Sequence, residues 1–250
     1  MSAALRTEAL SKHFGALAAV NGVNLQLSRG ARHALIGPNG AGKTTLINLL
    51  TGVLEPTAGE MFLGDECITP LPQHRRVKRG ITRTYQINTL FPNLTVLESV
   101  TLAVLERKGF AARWLKPVAS YREELDEAMA LLTTLKLHDD AHKRTALLPY
   151  GHQRLVEIAL ALATRPSILL LDEPAAGIPA NESVEVLGVI AALPEDVTIL
   201  FIEHDMDLVF RFAQRITVLV GGSILTEGTP DEIAHDPEVK AVYLGKESRA

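Results

Sequence analysis

The chain has 250 residues, 47% of them hydrophobic and 22% charged, so it is long and apolar enough to bury a sizeable core. A net charge of −4 argues against nucleic acid as the main partner, and the single cysteine, Cys67, excludes an internal disulfide and a cysteine zinc cluster. The apolar runs fall far short of the roughly 20 residues of a membrane span and no signal peptide is evident, so we expect a soluble chain that other chains would hold at any membrane.

The first part of the chain has a β pattern. Val23, Leu25 and Leu27 alternate with polar residues, and the short apolar run 34–36 ends at Gly37. The following elements are expected to be a helix at 42–51, a strand at 59–63, a helix at 73–79 and a strand at 81–86. The basic residues of 74–79 predict a solvated helix face, with contact to acidic lipid headgroups or a membrane subunit as the alternative.

Helical patterns dominate the middle of the chain. The segments 95–98 and 120–123 both have the Ser/Thr-x-x-Glu pattern of a capping box, and an apolar helical pattern follows each. Apolar strand-like runs return at 168–171, 197–202 and 216–220. Helical patterns separate these three runs, which predicts parallel βαβ units. A further capping box at 229–232 has proline at its first helical position.

A phosphate-binding loop is the strongest motif. The segment 37–44 matches G-x-x-x-x-G-K-[ST] in full, after a predicted strand and before a predicted helix. Glycines let the backbone turn its N–H groups toward phosphate oxygens, and the helix N-terminus adds partial positive charge. Lys43 is expected to reach the β- and γ-phosphates, and the Thr44 hydroxyl to bind Mg²⁺. The predicted nucleotide-binding residues of this loop are Gly37, Pro38, Asn39, Gly40, Ala41, Gly42, Lys43, Thr44 and Thr45.

Two carboxylates follow a predicted buried strand. Asp172 and Glu173 end the run Ile168-Leu-Leu-Leu, at the edge of an open α/β sheet where ligands bind. We expect Asp172 to hold the Mg²⁺ water shell and Glu173 to polarise the attacking water, because positioning and electrostatics dominate phosphoryl transfer. Without the phosphate loop, the pair would be read as a strand end that meets solvent.

With these motifs in this order, the chain resembles the ATPase subunits of ABC transporters along nearly its full length. The resemblance implies that Gln86, in Arg83-Thr-Tyr-Gln86, contacts Mg²⁺ and senses the membrane subunit, and that His204 contacts the γ-phosphate. It also implies that Phe14 stacks on adenine. The segment at Tyr150, Gly151 and His152 lies where the LSGGQ-type nucleotide-contacting motif of the family belongs, 19 to 22 residues before Asp172 when Gln153 is included.

The implied fold is α/β: a P-loop NTPase core with an N-terminal antiparallel β region and an inserted helical subdomain. We expect one ATPase domain over 1–250, with the core at 1–87 and 166–250 and the helical subdomain at 88–165. The segments 83–86, 173–177, 202–206 and 239–245 are similar to those of branched-chain (hydrophobic) amino acid importer ATPases. That resemblance implies ATP and Mg²⁺, two transmembrane permease subunits, a periplasmic solute-binding protein as an indirect partner, and a peripheral location at the cytoplasmic face of the inner membrane.

The chain departs from the family at two prolines. Pro149 replaces the serine of the LSGGQ-type motif, and Pro179 alters the loop that follows Glu173. Because the family builds each site from two chains, we expect this phosphate loop to work with a different ATPase subunit that supplies an intact motif. Alternatives are a weakly hydrolysing regulatory subunit, an importer for urea, amides or aromatic acids, and a non-transport ABC ATPase. That last class needs long coiled coils or zinc cysteines, which this sequence lacks.

Overall fold

The computed structural model describes residues 3–84, 90–110, 117 and 120–244. Within these residues the strands form two sheets, which we call the N-terminal sheet and the central sheet. The N-terminal sheet has the order β2-β1-β5-β6, with β3 also paired to β1, and every pair is antiparallel. Its strands are β1 (Ala3–Phe14), β2 (Leu17–Val23), β3 (Gln26–Ser28), β5 (Ala58–Leu63) and β6 (Glu66–Cys67). The predicted antiparallel β region is confirmed.

The central sheet has the order β11-β10-β4-β9-β8-β7. Strands β10, β4, β9, β8 and β7 pair in parallel, and β11 closes one edge antiparallel to β10. The parallel arrangement predicted for the runs at 168–171, 197–202 and 216–220 is confirmed. These strands are β4 (Arg32–Ile36), β7 (Ile81–Arg83), β8 (Ile168–Asp172), β9 (Thr198–Ile202), β10 (Arg215–Val220) and β11 (Ser223–Gly228). Every residue of β4 and β9 is buried, because helices or the other sheet cover both faces.

The hydrophobic core lies on both faces of the central sheet. Alternate residues of one strand point to opposite faces, so Leu169 and Leu171 belong to one cluster, whereas Ile168 and Leu170 belong to the other. The first cluster packs against helices, and the second packs against the N-terminal sheet and the helix after the phosphate loop. The described helices are α1 (Lys43–Thr51), α2 (Gln73–Lys78), α3 (Val96–Arg107), α4 (Arg122–Thr134), α5 (Tyr150–Ala163), α6 (Ala180–Ala191), α7 (Met206–Phe212), α8 (Pro230–His235) and α9 (Pro237–Leu244).

The predicted helix starts have different outcomes. Thr95 with Glu98 and Thr229 with Glu232 form reciprocal capping boxes at α3 and α8, as predicted. The box predicted at 120–123 is wrong, because α4 begins at Arg122 with no side-chain cap. The Ser120 hydroxyl instead donates to the carbonyl oxygen of Pro117 at 2.8 Å. The hydroxyl that the pattern predicted as a helix cap is therefore used in a local turn.

The basic helix α2 departs from prediction at one residue. Arg76 is only 1% exposed, although its neighbours His74, Arg75, Lys78 and Arg79 are exposed. Its Nη1 donates to the carbonyl oxygens of Leu49 at 2.6 Å and Leu50 at 3.0 Å, at the end of α1. The last carbonyls of a helix lack intrahelical partners and carry partial negative charge. The guanidinium therefore caps the helix that begins at the phosphate loop, which explains its burial.

A buried histidine joins β4 to β10. His33 is 1% exposed, its Nε2 lies 2.7 Å from the Thr217 hydroxyl oxygen, and that hydroxyl donates to Glu227 at 3.0 Å. No partner for the His33 Nδ1 is found among the described residues. Burial lowers the pKa of His33 to about 4, an effect that nearby Glu227 opposes and Arg215 reinforces.

We predict that His33 makes the fold acid-sensitive. The unfolded chain takes up a proton at His33 near its ordinary pKa of 6.5, whereas the folded chain does so only near a pKa of about 4. The stability present above pH 6.5 is therefore lost as the pH falls through this window, by about 2–3 kcal/mol. Urea unfolding at pH 7 and pH 4.5 measures the loss, and His33→Gln should lose less because glutamine does not titrate. Equal losses in both proteins would contradict the prediction.

Candidate nucleotide-binding site

The phosphate loop connects the end of β4 to the start of α1, where the motif requires it. Gly42 has a φ of 102° as the N-cap of α1, a region that favours glycine. A Cβ atom at Gly42 would lie 2.2 Å from the carbonyl oxygen of Ala19, and one at Gly37 would lie 2.1 Å from that of Leu219. Neighbouring backbone therefore presses the loop on two sides, and only glycine fits both positions.

Lys43 is the first residue of α1 and is 7% exposed. Its Nζ donates to the carbonyl oxygens of Gly37 at 2.6 Å and Pro38 at 3.1 Å, so the ammonium lies over the loop that the sequence assigns to the phosphates. Thr44 and Thr45 follow on the first turn, and Thr44 is exposed. The Lys43 side chain is thus bound to the loop itself, and its positive charge lies at the N-terminus of α1.

A cleft of about 510 Å³ extends from this loop. Its lining brings together residues 39–45, Phe14 at the end of β1, Glu173 and His204. Phe14 is 48% exposed and presents a ring to the cleft, with the Lys12 Nζ 5.4 Å from the ring centroid. An aromatic face and a lysine-bearing phosphate loop that line one cleft suit a ligand with a flat base and a charged tail.

Glu173 and His204 meet because their strands are neighbours. Asp172 ends β8 and pairs with Ile202 at the end of β9, so the residues just beyond each strand lie side by side. His204 Nε2 makes a short hydrogen-bonding contact with Glu173 Oε1. Glu173 also has a φ of 49°, an uncommon value for a residue other than glycine, and such backbone occurs at functional sites.

The partner of Asp172 in the structure is Arg83, on strand β7. Among the described residues Asp172 is not part of the cleft lining, and its Oδ2 accepts a hydrogen bond from Arg83 Nη2 at 2.5 Å. Arg83 Nη1 also donates to the Asn48 side-chain oxygen at 2.6 Å, on α1. Arg83 therefore joins the edge strand β7 to both the acidic pair and the helix of the phosphate loop.

The remaining predicted residues lie elsewhere. Gln86 is outside the described residues. Tyr150, Gly151 and His152 begin α5 and do not line the described cleft. His152 Nδ1 lies 2.5 Å from the Asp140 carboxylate, and Tyr150 is 44% exposed. The start of α5 is thus a separate surface of the chain.

Comparison with known proteins gives one family. The family model described as "ABC transporter" matches residues 20–176. The chain is 41% identical to BraF of Pseudomonas aeruginosa and to LivG of Escherichia coli, both high-affinity branched-chain amino acid transport ATP-binding proteins, over 97% of this chain and 98% of each relative. This chain belongs to the ABC transporter ATP-binding proteins. Residues 223–248 of this ABC ATPase also match a family model described as "Branched-chain amino acid ATP-binding cassette transporter".

Solved structures support the same assignment. The ABC ATPase superposes on a nucleotide-free ATP-binding cassette from an ABC transporter with a TM-score of 0.84 and 30% identity, over 97% of this chain and 99% of that one. It superposes on the ADP conformation of an ATP-binding cassette of an ABC transporter with a TM-score of 0.85 and 31% identity, over 98% of this chain and 99% of that one. The predicted fold class is confirmed. No helix in the described parts of the chain is long and apolar enough to cross a membrane.

One residue of the site was missed by the sequence reasoning. Glu203 precedes His204, is 5% exposed, and accepts hydrogen bonds from the Ala175 N–H at 2.8 Å and the His204 N–H at 3.3 Å. Burial raises the pKa of Glu203, and the two N–H donors oppose that shift. The sequence signal that could have found it is a carboxylate placed directly after the apolar strand β9 and next to His204. Glu203 ties the backbone at His204 to the turn that follows Glu173.

We predict that Glu203 stabilises this turn in the ABC ATPase. Glu203→Ala leaves the buried Ala175 N–H without an acceptor and should lower the free energy of unfolding by about 1–3 kcal/mol. Glu203→Gln should cost less, because its amide oxygen still accepts from Ala175. Urea denaturation measures both, with the exposed Glu195→Ala as a control expected to change stability by less than about 0.5 kcal/mol. An alanine variant as stable as the parent would show that this bond is dispensable.

Proposed function

We propose that this chain is the ATP-hydrolysing subunit of an ABC importer that takes up branched-chain or chemically related amino acids. The observation that carries the ATPase assignment is the single cleft in which the phosphate loop, Phe14, Glu173 and His204 meet. The solute assignment is supported by the 41% identity to BraF and LivG and by the match at residues 223–248.

The cleft residues bind ATP in two parts. The N–H groups of the loop and the Lys43 ammonium take the phosphates, because a helix N-terminus and a fixed cation both favour negative charge. The Phe14 ring takes the adenine, and base stacking contributes about 1–3 kcal/mol. The loop and the ring therefore recognise the two chemically different parts of the nucleotide.

The available donors fit Mg²⁺. Thr44 has an exposed hydroxyl at the cleft and Asp172 offers a carboxylate, and hard oxygen donors are what this ion prefers. In the structure the Asp172 carboxylate pairs with Arg83 at 2.5 Å. We place Gln86 in the same set, as the resemblance implies. When bound, the ion neutralises phosphate charge.

Hydrolysis is assigned to Glu173 and His204. The Glu173 side chain is 40% exposed and accepts a hydrogen bond from His204, so it can orient a water beside the γ-phosphate. His204 holds this carboxylate in place and can donate toward phosphate oxygen. The pair supplies position and charge, which are the main needs of phosphoryl transfer.

We predict that Glu173→Gln binds ATP with the affinity of the parent but hydrolyses it about 100-fold more slowly or worse, because the amide cannot accept the water's proton. Nucleotide titration and phosphate release measure the two properties separately. The matched control is Glu60→Gln, an exposed carboxylate on β5, which should hydrolyse normally. Normal turnover by the Glu173 variant would remove this residue from the mechanism.

The working unit is a dimer of ATPases. One cassette of the same fold, described as a bacterial ABC transporter cassette, has been solved as a dimer in two structures, one of them a post-hydrolysis state bound to ADP and Pi, at TM-scores of 0.73 and 0.74 to this chain. In such a dimer, Tyr150, Gly151 and His152 of one chain contact the nucleotide on the phosphate loop of the other. We place this dimer, through two permease subunits, at the cytoplasmic face of the inner membrane, where a periplasmic solute-binding protein delivers the solute.

Pro149 makes the two sites of that dimer unequal. It is the N-cap of α5, has no side-chain cap, and has no hydroxyl to offer a neighbouring nucleotide. The defect acts on the phosphate loop of the partner, so this chain's own loop is competent when a different ATPase supplies an intact motif. We therefore propose a heterodimer with a second ATPase chain.

We predict that the purified chain alone, as a homodimer, hydrolyses ATP slowly and that Pro149→Ser raises its rate. One hydrogen bond to a charged oxygen contributes about 1.5–3 kcal/mol, or roughly a tenfold rate change or more. Pro72→Ser is the matched control, because Pro72 is also an uncapped proline N-cap, at α2. It should leave the rate unchanged. Rapid hydrolysis by the lone parent chain, or no gain from Pro149→Ser, would contradict the heterodimer argument.

A weakly hydrolysing regulatory subunit is the second candidate. The proline N-caps of α5 and α6, Pro149 and Pro179, favour it because both replace residues through which the two sites of the family communicate. Comparing the ATPase rate of the lone chain with that of the assembled transporter distinguishes the two. Stimulation that disappears with Glu173→Gln supports the hydrolytic subunit, and stimulation that survives it supports the regulatory one.

A further inference from the structure

Arg154 lies on α5, behind the two carboxylates, and is 5% exposed. Its Nη2 donates to the carbonyl oxygens of Glu173 at 2.7 Å and Asp172 at 3.2 Å. Its Nε donates to the carbonyl oxygen of Pro174 at 3.3 Å. One guanidinium therefore holds three consecutive carbonyls, and a planar group with several fixed donors is suited to that task.

The fourth contact of Arg154 is a buried ion pair. Its Nη1 donates to Glu157 Oε2 at 2.7 Å, one turn further along α5. Glu157 is 4% exposed, and no partner for its Oε1 is found in the part of the chain that the structure describes. Burial raises the pKa of Glu157, and Arg154 opposes the shift. A buried ion pair of this kind contributes little to stability. We therefore infer that Glu157 serves to fix the position of the Arg154 guanidinium.

The backbone that Arg154 holds is an unusual one. Glu173 has its φ of 49° in the left-handed region, which a glutamate adopts only when its surroundings impose it. Its N–H donates to the carbonyl oxygen of Ile202 at 3.0 Å, and its carbonyl oxygen accepts from the Ala176 N–H at 3.1 Å as well as from Arg154. These bonds to strand β9, to the following turn and to the Arg154 guanidinium together fix the Glu173 backbone, and so the direction of its side chain.

We propose that Arg154 is a positioning residue for Glu173: it holds the left-handed backbone of the catalytic carboxylate and ties that carboxylate to helix α5. The inference rests on the proposed function, because it takes Glu173 as the group that orients water. It adds a residue that touches neither nucleotide nor water and acts only through the backbone of residues 172–174.

The tie has a consequence for the dimer. Helix α5 begins with Tyr150, Gly151 and His152, the surface assigned to the nucleotide of the partner, and Arg154 lies just after it on the same rigid helix. A Cβ atom at Gly177, in the turn after Glu173, would lie 3.4 Å from the Tyr150 hydroxyl, so that turn also packs on the start of α5. A shift of α5 on contact with one nucleotide therefore moves the carboxylate that serves the other.

The test compares two variants with a control. Arg154→Met combined with Glu157→Leu removes the pair without leaving a lone buried charge. Arg154→Lys keeps the charge but offers one ammonium in place of a fork. The control is Arg32→Lys: Arg32 is also 5% exposed and donates to backbone carbonyls, including Val197 at 2.8 Å, but it lies at the opposite end of β4 from the phosphate loop.

Three readouts separate positioning from general loss of structure. Phosphate release by the assembled transporter gives kcat, fluorescent-ATP titration of the full chain gives Kd, and hydrogen exchange reports the Ala176 amide, whose acceptor is the Glu173 carbonyl. We expect kcat to fall by about 10- to 100-fold in the double variant and by at least about fivefold in Arg154→Lys, as small misplacements of a reacting group do. The Kd should stay within about twofold of the parent, and the Ala176 amide should exchange faster. Arg32→Lys should lose stability without losing kcat.

Either variant, shown to be folded by its thermal transition, decides the question. A kcat within about twofold of the parent together with unchanged exchange at Ala176 overturns the inference, and if the double variant does not fold, Arg154→Lys alone is decisive. A parallel measurement of Glu173→Gln keeps the two proposals apart. If Glu173→Gln is inactive while the Arg154 variants are active, only the positioning role fails. If Glu173→Gln hydrolyses normally, the proposed function fails first.

Discussion

In the central sheet, β4, β9 and β8 pair in parallel as direct neighbours, so their carboxyl ends meet at one edge. The phosphate loop leaves β4 at that edge, Glu173 leaves β8, and His204 follows β9. The phosphate loop lies more than a hundred residues before Glu173, and His204 lies 31 residues after it, yet all three enter one cleft. Ligands of open α/β sheets bind at this edge for the same reason, and the rest of the site depends on this pairing.

The strands hold that geometry because both of their faces are buried. Residues of β8 alternate between two hydrophobic clusters, one under the helices and one under the N-terminal sheet. A close-packed core on both sides resists small displacements, and arginines lock the ends of the elements to it. Arg76 caps the helix that starts at the phosphate loop, and Arg154 holds the turn that starts at Glu173. The backbone that carries the phosphate loop and Glu173 is therefore held in place by the core and by these two arginines.

The sequence was sufficient for whatever depends on local pattern. The loop at 37–44, the apolar strands and the capping boxes at Thr95 and Thr229 are signals within a few residues, and the structure has each of them. The roles of Arg76, Arg154 and Glu203 were not visible, because each depends on at least one carbonyl or N–H group that lies 18 to 28 residues away in the sequence. The capping box predicted at 120–123 is the converse case. The sequence pattern is present, but the Ser120 hydroxyl donates to the Pro117 carbonyl oxygen instead of capping α4. Gln86 lies outside the described residues and stays a prediction.

Helix α5 connects two features that the sequence placed in separate motifs. Its first residues form the surface where Pro149 departs from the family, and its second turn carries the arginine that holds Glu173. A proline N-cap leaves the helix intact, because that position needs no N–H donor. In the proposed dimer, the proline at position 149 therefore removes a contact to the partner's nucleotide, while Arg154 still holds the backbone of this chain's own Glu173. Under this proposal, the chain keeps the residues that hydrolyse its own nucleotide but gives its partner an incomplete motif. That arrangement fits the proposed heterodimer, in which the other ATPase supplies the intact motif.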